Sequence, residues 1–222
     1  MKKILLIYFL SFHAISELTL EITQGTEDPY RVAIIKFSGA EKATTDIQKV
    51  VFDNLLRTGE FTIFNNEDLL SIPQIEEDIV FNDFRILDID FLVMGKVEDD
   101  GLNITVEYEV FDISKAKKIR TSTVYGIPNK NRQLAHYVSD GIYQEITGIP
   151  GIASTKLLYV TEDNNFKLLI SDADGSNEQV LLESTEPIIS PSWSPDSKKV
   201  AYVSFETGIA KVYIQDIASG NR

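Results

Sequence analysis

The chain has 222 residues and a mass of 25.0 kDa, which is enough for one large domain or two ordinary ones. Its hydrophobic fraction of 43% and charged fraction of 25% are typical of folded globular proteins and disfavour intrinsic disorder. The formal net charge of -13 disfavours nucleic acid as a partner, and the absence of cysteine excludes disulfides and thiol chemistry.

The first sixteen residues have the three parts of a secretory signal peptide. Two lysines precede an apolar run from Ile4 to Leu10, and the small residues Ala14 and Ser16 mark a cleavage site. The apolar run is shorter than the roughly 20 residues that span a bilayer. We therefore predict cleavage between Ser16 and Glu17 and export to the periplasm, with no membrane span in the mature chain. An uncleaved anchor or a buried N-terminal strand is the alternative.

Residues 17–28 follow the predicted cleavage site and carry an alternating pattern. Leu18, Leu20 and Ile22 are separated by polar residues, Glu21 among them. This alternation predicts a strand that could pair with an exposed sheet edge. The alternative is an ordinary first strand of the domain that follows.

Residues 29–148 are predicted to form a compact α/β domain, and residues 149–155 a linker. Continuous or alternating apolar runs predict strands, and apolar residues three and four positions apart predict helices. The predicted strands cover 31–38, 61–64, 91–97, 102–110 and about 119–125. The predicted helices cover 45–58, 79–87 and 131–147, and Gly59 terminates the first of them. The first of these strands should be central, because it is apolar throughout.

From residue 156 onward, short apolar runs alternate with turn clusters, and the pattern repeats. Leu158-Tyr159-Val160 returns 43 positions later as Ala201-Tyr202-Val203. Such a period is typical of β-propeller blades with four short strands each. Residues 156–222 are therefore predicted to form a truncated β-propeller of about one and a half blades. We expect a fragment, since four or more blades usually close a propeller; otherwise another element must cover the open edge.

Three polar residues of the last predicted helix, His136, Ser139 and Asp140, could suggest a catalytic group. They share one helix face and point alike, so they cannot converge on a substrate as a triad does. We predict that His136 lies on the helix surface or at a domain interface.

Acidic and hydroxyl residues in the turns of the second segment also need an interpretation. Asp163, Asp172 and Asp174 could offer oxygens to calcium, but their spacing favours solvated turns. Ser194 and Asp196 belong to a Pro-Ser-Trp-Ser-Pro-Asp string that builds a tight turn before a strand. We predict no catalytic residue, no metal site and no cofactor.

Several strings in the chain resemble the TolB family of the Tol-Pal system. They lie in that family's order and spacing across both predicted domains, whereas residues 66–90 match it loosely. The strings are Leu20 to Gly25, His136 to Gly148, Ile170 to Gly175, Ser190 to Asp196 and Ala201 to Gly208. The resemblance implies a TolB-type N-terminal α/β domain followed by a six-bladed propeller with WD40-like (PD40) blades.

The function implied by this resemblance is that of a non-enzymatic periplasmic adaptor. The propeller of the family docks the lipoprotein Pal, and the segment equivalent to residues 17–28, with Leu18, Leu20, Glu21 and Ile22, switches between TolA and the body of the protein. The family maintains the outer membrane, acts in cell division and is implicated in bacteriocin import; other outer-membrane proteins are further possible partners. No Pal-contacting residue is carried over.

Two other functional classes stay open on the sequence alone. Similar propeller repeats cap prolyl oligopeptidase-like serine peptidases, although no Gly-x-Ser-x-Gly string occurs in the 222 residues. A propeller that binds sugar or peptidoglycan is the third possibility.

Overall fold

A computed structural model of the chain describes residues 28–39 and 41–222. The predicted signal peptide, the cleavage site and all but the last residue of the predicted switch segment lie outside these residues. The described chain forms one mixed sheet with helices, followed by two antiparallel sheets.

The mixed sheet combines parallel and antiparallel strands, which are β1 (Tyr30–Ile34), β2 (Ser38–Gly39), β3 (Phe61–Phe64), β4 (Phe91–Asp99), β5 (Ile104–Asp112) and β6 (Lys117–Gly126). The strand order is β3-β1-β4-β5-β6, with β2 beside β4. The strand β1 runs parallel to β3 and β4, while β4, β5 and β6 form an antiparallel meander. The prediction of a central first strand is confirmed.

Helices cover this sheet on both faces. They are α1 (Glu41–Arg57), α2 (Phe81–Ile86) and α3 (Asn131–Thr147). The long helices α1 and α3 pack together over one face and enclose the larger apolar core, whereas α2 belongs to the smaller core on the other face. Helix α3 ends at Gly148, which has a φ of 76° and donates its N–H to the Gln144 carbonyl at 2.9 Å.

Two predicted boundaries in this domain differ by four residues from the observed ones. The predicted strand 31–38 ends at Ile34. One last backbone bond to β4 follows, from the Ile35 N–H to the Val93 carbonyl at 3.0 Å, and side chains then bind the next backbone groups: Asn66 accepts from the Lys36 N–H and Gln48 from the Phe37 N–H. Helix α1 begins at Glu41, four residues before the predicted start.

The second part of the chain consists of two three-stranded antiparallel sheets. The first sheet holds β7 (Lys156–Glu162), β8 (Phe166–Asp172) and β9 (Gln179–Ser184), and the second sheet holds β10 (Ile188–Trp193), β11 (Lys199–Ser204) and β12 (Lys211–Asp216). A third apolar core lies between them. In the described residues each sheet therefore has three strands, where the sequence predicts four per blade.

The repeat explains this difference. The 43-residue step relates β7 to β11, so one period does contain four strands, β7 to β10. The change of sheet falls inside that period, between β9 and β10, and assigns the fourth strand to the second sheet.

The turn predicted before β11 is confirmed. Ser194 donates its hydroxyl to Asp196 at 2.6 Å, and the N–H groups of Lys198 and Lys199 donate to these two side chains. Among the described helices, none has the length and apolar composition that a membrane crossing requires.

Candidate functional site

The main polar cluster of the described chain lies where helix α3 meets the turn after β8. Arg132, His136 and Asp140 are spaced four residues apart on α3, so they share one helix face. Asp172 and Asp174 approach this face from the end of β8 and the turn that follows. The cluster joins the α/β part of the chain to the first antiparallel sheet.

Each of the two carboxylates in the turn is paired with a cation. Arg132 donates to Oδ2 of Asp174 through Nε at 2.8 Å and also through Nη2. Lys156 at the start of β7 donates to Oδ1 of Asp172, and the Asn177 amide donates to its Oδ2 at 2.6 Å. The side chains of Asp172 and Asp174 are only 6% and 1% exposed, so both pairs are shielded from water on the carboxylate side.

His136 is buried between the two parts of the chain and is 2% exposed. Its Nδ1 lies 2.9 Å from the amide nitrogen of Asn54 on α1, which also donates to Ser139 Oγ at 2.9 Å. The orientation of the Asn54 amide is assigned from Arg57, which donates to its oxygen at 3.3 Å. Nδ1 of His136 is therefore an acceptor, and the neutral ring carries its proton on Nε2.

The Nε2 atom of His136 has no hydrogen-bond partner among the described residues. It lies 3.7 Å from Oδ2 of Asp172 and 3.7 Å from Oδ2 of Asp174. These distances are too long for hydrogen bonds, so the carboxylates act on the ring only through their charge.

Burial and charge act against each other in this cluster. Burial lowers the pKa of His136, although the charges of Asp174 and Asp172 oppose that shift. For the carboxyls of Asp172 and Asp174, burial alone would raise the pKa, but hydrogen bonds and nearby cations outweigh burial and lower it. Hydrogen bonds from Lys156 and Asn177 lower the pKa of Asp172, and those from the Ser176 N–H and Arg132 lower the pKa of Asp174. The cluster thus favours two carboxylates and a neutral imidazole.

The same three residues, His136, Asp172 and Asp174, are the group within the described chain whose donor atoms could surround a metal ion, since these atoms lie within 4.8 Å of one another. A cation would have to compete with Arg132 for Asp174 and with Lys156 for Asp172. Because both carboxylates already have cationic partners, the arrangement fits a structural contact better than a metal centre.

Asp140 fixes the connection that leads from α3 to β7. Its Oδ1 accepts from the Ala153 N–H at 2.7 Å and its Oδ2 from the Ser154 N–H at 3.0 Å. The chain passes Asp140 so closely that a Cβ built on Gly151 would lie 2.4 Å from Oδ1 and 2.6 Å from the Asp140 Cα. Residue 151 therefore has to be glycine if the connection keeps this path.

Only some of the predicted candidate residues lie in the part of the chain that the structure describes. Ser16, Glu17, Leu18, Leu20, Glu21 and Ile22 lie outside the described residues, so their roles stay predictions. His136 lies at the interface between the two parts of the chain, which was one of the two positions predicted for it.

The prediction of solvated turns is wrong for two of the three aspartates. The side chains of Asp172 and Asp174 are buried because they face α3, whereas Asp163 is exposed in the turn between β7 and β8. Ser139 and Asp140 do not converge with His136 on a cavity. Ser139 donates to the Ala135 carbonyl and shares the Asn54 amide with His136, whereas Asp140 accepts from the connection.

Sequence analysis missed Asn54, Arg132 and Lys156. A signal for Asn54 does exist, because it follows Ile47 and Val50 on the buried side of α1 and interrupts an otherwise apolar stripe. Nothing local marks Arg132 or Lys156, whose partners are 42 and 16 positions away.

These features define a class of protein: an α/β domain docked through a buried polar contact on the first sheets of a propeller. Two family models match the chain, the TolB amino-terminal domain over residues 18–119 and the TolB beta propeller domain over residues 143–222. Together they cover most of the sequence in the order observed in the structure. The chain belongs to the TolB family.

Individual relatives agree with this assignment. The chain is 38% identical over 214 residues to the Tol-Pal system protein TolB of Alcanivorax borkumensis, covering 93% of this chain and 49% of that protein. Its identity to the protein of the same name from Alkalilimnicola ehrlichii is 36% over 211 residues, with coverages of 91% and 49%. The crystal structure of TolB from Acinetobacter baumannii superposes with a TM-score of 0.79 and 32% identity, covering 87% of this chain and 48% of that one. The chain thus spans about half the length of the curated relatives it matches.

The geometry predicts a stability loss when Arg132 is removed. Arg132→Ala would leave Asp174 buried without its cation, and we expect the free energy of unfolding to fall by roughly 2 to 4 kcal/mol, less than for a fully buried pair because Arg132 is partly exposed. Urea unfolding at pH 7.5 measures this loss. Lys49→Ala, which breaks the exposed pair with Asp53, is the matched control and should cost under about 0.5 kcal/mol. Equal losses in the two variants would contradict the account.

The cluster also predicts a pH dependence. The folded state lowers the pKa of His136, so the unfolded chain binds a proton at this residue more readily. The stability that depends on a neutral His136 is therefore fully present above the ordinary histidine pKa of about 6.5, and it is lost as pH falls from there through the lowered pKa. Between pH 8 and pH 5.5 the free energy of unfolding should decrease. The facing carboxyls of Asp172 and Asp174 titrate below this range because their pKa values are lowered.

A variant without the imidazole isolates this effect. His136→Gln should flatten the slope between pH 8 and pH 5.5, as measured by thermal unfolding at constant ionic strength. If the variant kept the slope of the parent chain, His136 would not be its source.

Proposed function

We propose that this chain is a non-enzymatic, protein-binding component of the Tol-Pal system that works in the periplasm. The observation that carries the proposal is the succession of a TolB amino-terminal domain and TolB propeller strands in one chain. The curated relatives named above are Tol-Pal system proteins. The predicted signal peptide supports export.

The polar cluster supports a binding role over a catalytic one. Its carboxylates are held by Arg132 and Lys156, and its histidine is buried at the contact between two parts of the chain. Carboxylates that are already paired and a histidine that is buried in this way stabilise an orientation, whereas a catalytic acid or base has to reach a substrate. The peptidase alternative gains no support from the relatives, which carry Tol-Pal names.

The proposed partners are TolA and the lipoprotein Pal. Residues 17–28 would engage TolA as an added strand, with Leu18, Leu20 and Ile22 on the side that contacts the partner. The propeller would engage Pal. Through these two contacts the protein would link the inner-membrane Tol proteins to the outer membrane, support its integrity and its constriction at division, and permit bacteriocin import.

Pull-down assays with purified partners test the role of the N-terminal segment. A chain lacking residues 17–28 should lose TolA capture selectively, because the segment supplies the pairing strand. The triple variant Leu18→Ser/Leu20→Ser/Ile22→Ser should have the same effect. TolA capture should fall at least about tenfold, since each apolar side chain contributes about 1 kcal/mol or more to the binding free energy when buried.

The matched control changes the polar side of the same segment. Thr19→Ser/Thr23→Ser should capture TolA as the parent chain does. If the deletion and the parent capture TolA equally, the proposed role of residues 17–28 is refuted. If Pal capture is lost together with TolA capture in the deletion, the segment has no selective role.

A further inference from the structure

Residues 66–90 combine negative charge with exposed apolar side chains. This stretch contains eight of the 34 acidic residues of the chain and a single basic residue, Arg85. Five of its large apolar side chains are exposed: Leu70, Ile72, Ile75, Val80 and Ile86. Exposed apolar residues beside an excess of one charge are a common property of surfaces that bind a partner.

The part of this stretch between β3 and α2 is held firmly on the mixed sheet. Pro73 and Ile79 are buried, so the apolar side chains between them point outwards from a fixed backbone. Lys118 on β6 donates to Glu76 at 2.6 Å and to Glu109 on β5 at 2.8 Å. The ammonium group thus ties the irregular segment to the sheet.

A groove lies between this segment and the sheet. Its volume is about 430 Å³, within the range of cavities that bind ligands. Met94 lies in its floor, where it is the cross-strand partner of Glu109, so apolar and acidic groups stand side by side. We call this surface the acidic groove; it consists of Ile75, Glu76, Glu77, Met94, Glu107 and Glu109.

Four carboxylates line the acidic groove, and they are not equally paired. Glu76 and Glu109 share one cation, Lys118. Glu77 and Glu107 form no ion pair with any residue that the structure describes. These two carboxylates are therefore available to a cation from outside the chain.

Two lysines also line the acidic groove, but they do not balance its charge. Lys96 is paired with Glu98 at 2.6 Å, and Lys36 is the second. With Lys118 and Glu98 included, five carboxylates stand against three ammonium groups. The groove as a whole is negative.

The acidic groove is separate from the contact between the two parts of the chain. Met94 belongs to the smaller core on the α2 side of the mixed sheet. The propeller sheets are reached through Arg132 and His136 of α3, which packs on the opposite face of the sheet. All residues that line the groove lie between positions 35 and 109, so the α/β domain alone forms it.

We propose that the acidic groove binds a short segment of a partner protein that carries both basic and apolar residues. The apolar side chains of that segment would contact Ile75 and Met94, and its cations would pair with Glu77 and Glu107. The negative charge of the groove repels phosphate backbones and anionic lipid, and it attracts a basic protein segment. This contact is a third one, distinct from those proposed for residues 17–28 and for the propeller, and it does not depend on them.

Fluorescence anisotropy with short labelled peptides tests the chemistry of the occupant on the purified full chain. A peptide built of lysine and leucine should bind saturably at micromolar concentration. A matched peptide of glutamate and leucine should not bind, because the groove repels it. A peptide of lysine and glycine should bind at least about threefold more weakly, because it buries no apolar surface on Ile75 and Met94.

Variants of the chain test the place of binding. Glu77→Lys/Glu107→Lys should raise the dissociation constant of the lysine–leucine peptide at least about tenfold, because it replaces the two available carboxylates by cations. Ile75→Ser should raise it about threefold or more through lost apolar contact. The matched control Glu162→Lys/Glu186→Lys makes the same change of net charge on exposed carboxylates of the propeller sheets and should stay within about twofold of the parent.

Three results would overturn the proposal. They are the failure of the parent chain to bind the lysine–leucine peptide, equal weakening by the two double variants, and equal affinity for the lysine–leucine and lysine–glycine peptides. The changed side chains are exposed, and circular dichroism checks that each variant is folded. If Glu77→Lys/Glu107→Lys were unfolded, Glu77→Gln/Glu107→Gln would replace it, with Glu162→Gln/Glu186→Gln as its control, and binding that differed in neither pair would equally refute the site.

Discussion

Two buried carboxylates determine how the parts of this protein are joined. Asp172 and Asp174 follow one another closely in the turn after β8, and both face helix α3. A buried carboxylate is strongly unfavourable without a cation or hydrogen-bond donors. Arg132 on α3 supplies the cation for Asp174 across the contact, whereas Lys156, the cross-strand neighbour of Asp172, supplies its cation within the first sheet. The first sheet therefore has to lie where Asp174 reaches Arg132.

Helix α3 serves both sides of this contact. One side of the helix contributes Leu134, Val138 and Ile142 to the core under the mixed sheet. The other side carries Arg132, His136 and Asp140 towards the propeller sheets. Because the same rigid helix is packed on one side and paired on the other, the orientation of the propeller sheets follows the position of α3 in the α/β domain.

Local patterns allowed much of the fold to be predicted. Strand 61–64 and helix 131–147 were predicted with the observed bounds, because the alternation of apolar residues and the stop at Gly148 are local signals. The break after Ile34 was missed because it depends on the side chains of Asn66 and Gln48, which are distant in sequence.

The polar contact could be predicted only in part. An interface was one of two positions predicted for His136, but its partner Asn54 is 82 positions away and no spacing rule relates them. Asp174 looks like any solvated turn residue until the fold brings Arg132 to it. Turn residues are exposed by default, and only the tertiary structure shows which of them face another element.

The polar contact should hold the α/β domain and the propeller sheets in one fixed orientation. The chain has no cysteine, so spin labels can be placed at Lys49→Cys on α1 and Asn164→Cys between β7 and β8 without further changes. The distance between the two labels, measured by double electron-electron resonance in chain diluted with unlabelled protein, tests the claim. We expect a single narrow distribution that broadens when Asp174→Ala is added. A broad or multiple distribution in the parent chain would contradict it.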